Sequence, residues 1–169
     1  MIDQSFMLDH LQNDEEKDDL SQSNFIAIIK AEKVNNATLE FRRVWKDLEH
    51  LAYSFPLVIL NKNKLVAKLL QQLQDDTLKV VYPAIIELII ALIKDLRQDI
   101  YSDFMHKILP CVISILDCTN LTLLDAVFTL LSFSFKYLLT PLREDLVRFY
   151  SVYVELLLHK NKYVRKFAA

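Results

Sequence analysis

The chain has 169 residues, 53% hydrophobic and 25% charged, with a net charge of −2, so it can bury a core in one domain and has no global attraction to nucleic acid. Glycine is absent, where ordinary usage near 7% would supply about a dozen. Phosphate-cradling loops, dinucleotide fingerprints and G-x-S-x-G elbows need backbone without a Cβ and are excluded, and tight hairpins are disfavoured.

Residues 1–37 carry eight acidic and three basic side chains. The run Asp14-Glu15-Glu16-Lys17-Asp18-Asp19, followed by Ser21-Gln22-Ser23-Asn24, has the composition of a solvated, disordered segment. Within it, Phe25 to Ala31 is a short helix or a docking segment. From Thr38 the pattern is helical, with Phe41, Val44, Trp45, Leu48, Leu51 and Ala52 at three- and four-residue steps. Phe55-Pro56 closes that stripe. Residues 57–73 predict a helix, irregular around Asn61-Lys62-Asn63. Asp75-Asp76-Thr77 then supplies a capped break. A second helix is predicted over 77–96, with a late start or kink at Pro83. A second pair is predicted over 99–117 and 120–138. A third unit has a helix over 142–158, with Pro141 at its start, and another beginning near 161. That last helix has no terminator before Ala169. Solenoids end in polar caps, so the expectation is the N-terminal piece of a longer protein.

These segments repeat. At a spacing of 42 residues, Asp75, Asp117 and His159 align, and nine positions on so do Ala84, Ala126 and Ala168. The same register aligns Val66 with Ile108 and Tyr150, Leu70 with Val112 and Val154, and Leu73 with Ile115 and Leu157. It also pairs Leu88 with Leu130, Ile89 with Leu131 and Lys94 with Lys136. Two helices per unit at a period of roughly 40–47 is the HEAT/armadillo signature. The predicted fold class is therefore all-α, a HEAT-like α-solenoid over 38–169 preceded by the acidic segment 1–37. The stacked alanines read as packing sites.

Candidate functional residues follow from the same register. Thr122, Asp125, Thr129, Ser132 and Lys136 form a polar stripe at helical spacing, and shifting back one unit gives Val80, Pro83, Glu87, Ile90 and Lys94. Second helices usually line the concave surface of a solenoid. Glu87, Lys94, Thr129 and Lys136 are thus candidate partner-binding residues on one face. Phe128, Phe133, Phe135 and Tyr137 crowd that helix and read mostly as core between units. Residues 136–169 carry seven bases and three acids. Arg143, Arg148, Lys160, Lys162, Arg165 and Lys166, interleaved with Tyr150, Tyr153 and Tyr163, are candidate RNA contacts by phosphate neutralisation and stacking. Glu144 and Arg148, four apart, also read as a helix-surface ion pair.

Catalytic and metal patterns are not met. His10, His50, His106 and His159 are scattered, with no H-E-x-x-H and no Cys/His metal spacing. No enzyme activity, cofactor or small-molecule substrate is expected. Cys111 and Cys118 lie seven apart on one helix, about 10 Å by its rise, too far for a disulfide. They read as reduced thiols of a soluble intracellular protein. The N-terminus has no signal peptide pattern. The longest apolar stretch, Val80 to Ile93, is interrupted by Pro83 and Glu87 and is too short to span a bilayer, so no membrane is expected.

The stretch Leu130-Leu131-Ser132-Phe133-Ser134-Phe135-Lys136-Tyr137-Leu138 resembles the N-terminal region of the down-regulated-in-metastasis family of HEAT-repeat proteins, the family of U3 small nucleolar RNA-associated protein twenty. Tyr150-Ser151-Val152-Tyr153, Leu156-Leu157-Leu158-His159-Lys160 and Val164-Arg165-Lys166-Phe167-Ala168-Ala169 continue the likeness. Upstream, Lys94-Asp95-Leu96-Arg97-Gln98-Asp99 resembles the family's first well-formed repeat. The likeness covers roughly 39–169. It implies a non-catalytic scaffold of the small-subunit processome in the nucleolus, supporting pre-18S rRNA processing and 40S subunit biogenesis. Implied partners are processome proteins and U3 snoRNA or pre-rRNA. A HEAT-repeat transport adaptor, importin-like or coat-like, is the alternative. The lack of glycine departs from the family's composition.

Overall fold

The computed structural model describes residues 23–36 and 38–169, and every regular element among them is helical. The expectation of disorder over 1–37 therefore lies outside the described residues for 1–22. Residues 24–35 of that segment are a docked helix, α1 (Asn24–Asn35), with Phe25 and Ile29 buried. Helix α2 (Leu39–Glu49) follows, capped by the Thr38 hydroxyl accepting from the Phe41 amide, with Phe41, Val44 and Leu48 buried.

The irregularity expected near Asn61 is a break between α3 (Phe55–Leu60) and α4 (Lys62–Gln72). Pro83 delays the next helix as expected: a 3-10 turn covers Asp76–Val81, and α5 (Tyr82–Leu96) begins with Pro83 in its first turn. Asp75 caps the 3-10 turn. The hydroxyl and amide of Thr77 donate to its carboxylate at 2.7 and 2.9 Å and hold its pKa below the ordinary value, with Arg43 acting the same way.

A second 3-10 turn, Arg97–Ile100, leads into α6 (Tyr101–Asp103), a π turn over Phe104–Ile108 and α7 (Leu109–Ile115). Pro110 sits just past the π turn and cannot donate to the preceding turn. The wider turn, in which the Leu109 amide reaches back to the Phe104 carbonyl, accommodates it. Helix α8 (Leu121–Tyr137) is uninterrupted, with the Asn120 side chain capping the Thr122 and Leu123 amides. The single helix expected over 142–158 is instead two, α9 (Leu139–Glu144) and α10 (Leu146–Leu157). Pro141 is the third residue of α9 rather than the start of α10. Asp145, at φ −119° and ψ 48°, interrupts the helix, so Glu144 and Arg148 do not share one helical face. Helix α11 (Lys162–Ala168) closes the described chain.

The core is centred on α5. Eleven of its fifteen residues are buried, and a helix apolar on nearly every side needs cover on more than one. Helices α1 and α8 provide it. Helices α5 and α8 run parallel: Ala84 and Ala126 border one groove near the starts of the two helices, and Lys94 Nζ lies 4.4 Å from the centre of the Phe133 ring near their ends. Helix α1 runs the opposite way. Its start meets the end of α5, where the Asp95 carboxylate accepts from Ser23 Oγ at 2.6 Å and from the Asn24 and Phe25 amides at 2.8 and 3.0 Å. Asp95 thus satisfies orphan amides of another helix's first turn, where negative charge is also favoured.

Asp117 and His159, aligned at the 42-residue spacing, are in contact, and Lys160, Phe128 and Phe167 add to that junction. Asp117 Oδ1 lies 3.3 Å from His159 Nε2, and Asp117 Oδ2 lies 3.1 Å from Lys160 Nζ. Phe128 stacks on Phe167 with ring centres 4.4 Å apart. Leu88 and Leu130 are buried alike, as are Ile89 and Leu131, and Val66 and Ile108. Their third partner differs: Tyr150 is 66% exposed. Ala84 and Ala168 are buried as packing sites, whereas Ala126 is half-buried.

Candidate functional site

Helix α5 forms the floor of an open groove of about 440 Å³, walled by α8 on one side and the end of α1 on the other. Seven residues of the register-derived stripe line it together: Val80, Pro83, Glu87, Ile90, Thr122, Asp125 and Thr129. Pro83 at the start of α5 explains why this surface is apolar and shallow. The Pro83 ring and the Ala84 and Ala126 methyls leave room that larger side chains would fill. Val80, 80% exposed, stands at the mouth. Thr129 Oγ1 donates to the Asp125 carbonyl at 2.9 Å, which holds that hydroxyl along α8.

Among the described residues, three carboxylates line the groove, Glu32, Glu87 and Asp125, and no lining residue is basic. The surrounding protein desolvates the Glu87 carboxyl and pushes its pKa above the ordinary Glu value of 4.5; the Glu32 carboxylate adds to this and Lys94 opposes it. Glu32 and Asn36 come from the segment read as acidic and disordered, outside the repeats from which the stripe was drawn. The available signal was local: Ser23 as a helix cap before Phe25, Ile28 and Ile29.

The other three residues of the stripe sit elsewhere: Ser132 Oγ donates to the Phe128 carbonyl at 2.9 Å, and the two lysines lie further along. Lys94 lies over Phe133, and Lys136 has its Nζ 5.5 Å from the centre of the Tyr137 ring. Arg97 lies 5.8 Å from the same Tyr137 ring, so the far end of α8 is a cation–aromatic cluster rather than part of the groove. The aromatics of α8 divide by direction. Phe128 meets α11, Phe135 meets Phe149 of α10 edge-on at 5.3 Å, and Phe133 stacks on Tyr137 at 6.0 Å.

The candidate RNA contacts are divided between several elements: Arg143 on α9, Arg148 on α10, and Lys162, Arg165 and Lys166 on α11, which folds back against α10 where Tyr153 bonds to the Ala168 carbonyl. Arg165 is engaged in the fold, its Nη1 donating to the His159 and Lys160 carbonyls at 2.6 and 2.8 Å. Lys160 pairs with Asp117, and Lys162 lies over the Tyr163 ring. Arg143, Arg148 and Lys166 are exposed.

Among the described residues, no group of three or more His, Cys, Asp or Glu is placed to hold a metal ion. None of the described helices is long and apolar enough to cross a membrane. Tyr82, on α5 near Glu87, directs its hydroxyl to the Asp75 carbonyl at 3.1 Å and serves the fold. Cys111 and Cys118 are free thiols, and burial pushes the Cys111 pKa up. A second cleft of about 440 Å³ lies between α2, α4 and the first 3-10 turn, lined by Arg43, Lys68 and Asp75 among others. No known family profile matches the chain.

Proposed function

We propose that this chain is a HEAT-like α-solenoid segment acting as a non-catalytic scaffold. On this reading it belongs to the nucleolar small-subunit processome and supports pre-18S rRNA processing and 40S subunit biogenesis. The carrying observation is the parallel packing of α5 and α8 one register apart, with the register-derived stripe gathered along a continuous groove. Stacked second helices that present one row of side chains are how solenoids hold extended partners. The assignment to ribosome assembly rests on the resemblance quoted above, since the geometry speaks only to partner binding. Affinity purification of the protein from cell extract is expected to recover processome proteins together with U3 snoRNA or pre-rRNA, and their absence would remove the assignment.

A transport adaptor, importin-like or coat-like, is the second reading, favoured by the three carboxylates of the groove. Recovery of Ran or cargo receptors in the same purification would select it.

A further inference from the structure

We infer that the groove between α1, α5 and α8 docks a protein segment presenting Lys or Arg side chains beside aliphatic ones. This deepens the scaffold reading by giving the partner's chemistry, and rests on it.

The argument begins with the floor. Pro83, Ala84, Ile86 and Ile90 line it with apolar surface, and Val80 projects beside them with four-fifths of its surface in solvent. Aliphatic side chains laid along this floor would lose water contact on both partners. The rim supplies the second half. Glu32 on α1, Glu87 on α5 and Asp125 on α8 approach from three separate elements, with no basic residue lining the groove among the described residues. The Glu32 carboxylate repels that of Glu87, and a cationic side chain set between them relieves that repulsion as it binds. The same rim rejects phosphate, so the groove selects against RNA. The lining spans Val80 to Ile90, about 15 Å along a helix axis, which suits a short linear segment rather than a folded domain. Thr122 and Asn36 add polar groups at the edge for backbone or side-chain hydrogen bonds of such a segment.

The test is fluorescence anisotropy on the full chain with a labelled peptide alternating Lys and Leu, against one alternating Glu and Leu. The Lys/Leu peptide is expected to bind saturably and at least tenfold more tightly, with affinity falling as salt rises. The double variant Glu87→Lys with Asp125→Lys should lose at least tenfold in affinity at an unchanged melting temperature. Ala126→Phe, which fills the groove without changing charge, should weaken binding as well. A control variant, Glu144→Lys with Glu155→Lys, exposed and outside the groove, should bind like the wild type. The inference is overturned if the two peptides bind equally, if the groove variants bind undiminished, if the control variant loses as much, or if single-stranded RNA competes for the groove. Failure here alongside recovery of processome components would leave the scaffold reading standing. Peptide binding without that recovery would remove the ribosome assignment alone.

Discussion

Two side chains carry local costs that can be measured. Arg97, at the C-terminal cap of α5, holds φ 46° and ψ −118°, a region that glycine enters freely and other residues enter at a cost of about 1–3 kcal/mol. In a chain without glycine the turn out of its most buried helix is strained. Arg97→Gly is expected to raise the melting temperature, by about 1 kcal/mol of stability once the greater freedom of the unfolded chain and the lost contact with Tyr137 are set against the relief. An unchanged or lower melting temperature would mean that the Arg97 side chain outweighs the strain. Glu87 is the second. Its folded pKa is raised, so the native state binds the proton more tightly than the unfolded chain does. Its contribution to stability is fully present below the ordinary value of 4.5 and is lost as pH rises through the raised value. Glu87→Gln should therefore stabilise the protein at pH 7, within about 0.5 kcal/mol for so exposed a residue, and do less near pH 4. Equal effects at both pH values would contradict this. Neither cost was legible in the sequence. A positive φ follows from how α5 meets the next turn, and the crowding of Glu87 includes a carboxylate from a helix more than fifty positions away.

At the scale of elements, helices were legible wherever local pattern and packing agree. The Asn61 break, the late start forced by Pro83 and the capped start of α8 follow from residues a few positions apart. The break at Asp145 was missed because the apolar positions of α9 and α10 continue one pattern across it; Tyr101, whose hydroxyl reaches Asp145 Oδ2 at 3.4 Å, comes from an earlier element. Helix α1 was missed as a full element because its neighbours in sequence are acidic while α5, which it packs against most, lies more than fifty positions on. Beside buried Phe25 and Ile29, one side chain ties the start of α1 to α5. Asp95 accepts from Ser23 and from the Asn24 and Phe25 amides, and charge-assisted bonds of this kind contribute about 1.5–3 kcal/mol. Asp95→Ala is expected to release α1 by about 2 kcal/mol, with Asp95→Asn milder. Trp45 reports it, because Lys33 Nζ sits 3.6 Å from the Trp45 ring centre when α1 is docked. Trp emission and amide exchange of 24–35 should shift together, and a docked α1 in the Ala variant would show that Phe25 and Ile29 hold it alone.

For the whole molecule, positions aligned by the 42-residue spacing differ in burial. Val66 and Ile108 are buried while Tyr150 is 66% exposed, beside Val147 at 84%. This part of α10 presents an apolar face with basic neighbours, a surface prone to association. Sedimentation of the 169-residue chain should show concentration-dependent self-association, suppressed by Val147→Lys with Tyr150→Glu. A chain monomeric at every concentration would argue that this face is not adhesive. The groove has a different vulnerability. One wall, Glu32 and Asn36, belongs to the antiparallel helix that Asp95 pins, while the floor and other wall belong to the parallel pair. The site is thus assembled from two parts of the chain that can separate, and thermodynamic reciprocity follows. An occupant touching both parts must tighten the hold on α1 by the same factor by which a docked α1 tightens the hold on the occupant, making Asp95, whose hydrogen bonds go to Ser23, Asn24 and Phe25, a remote control of affinity.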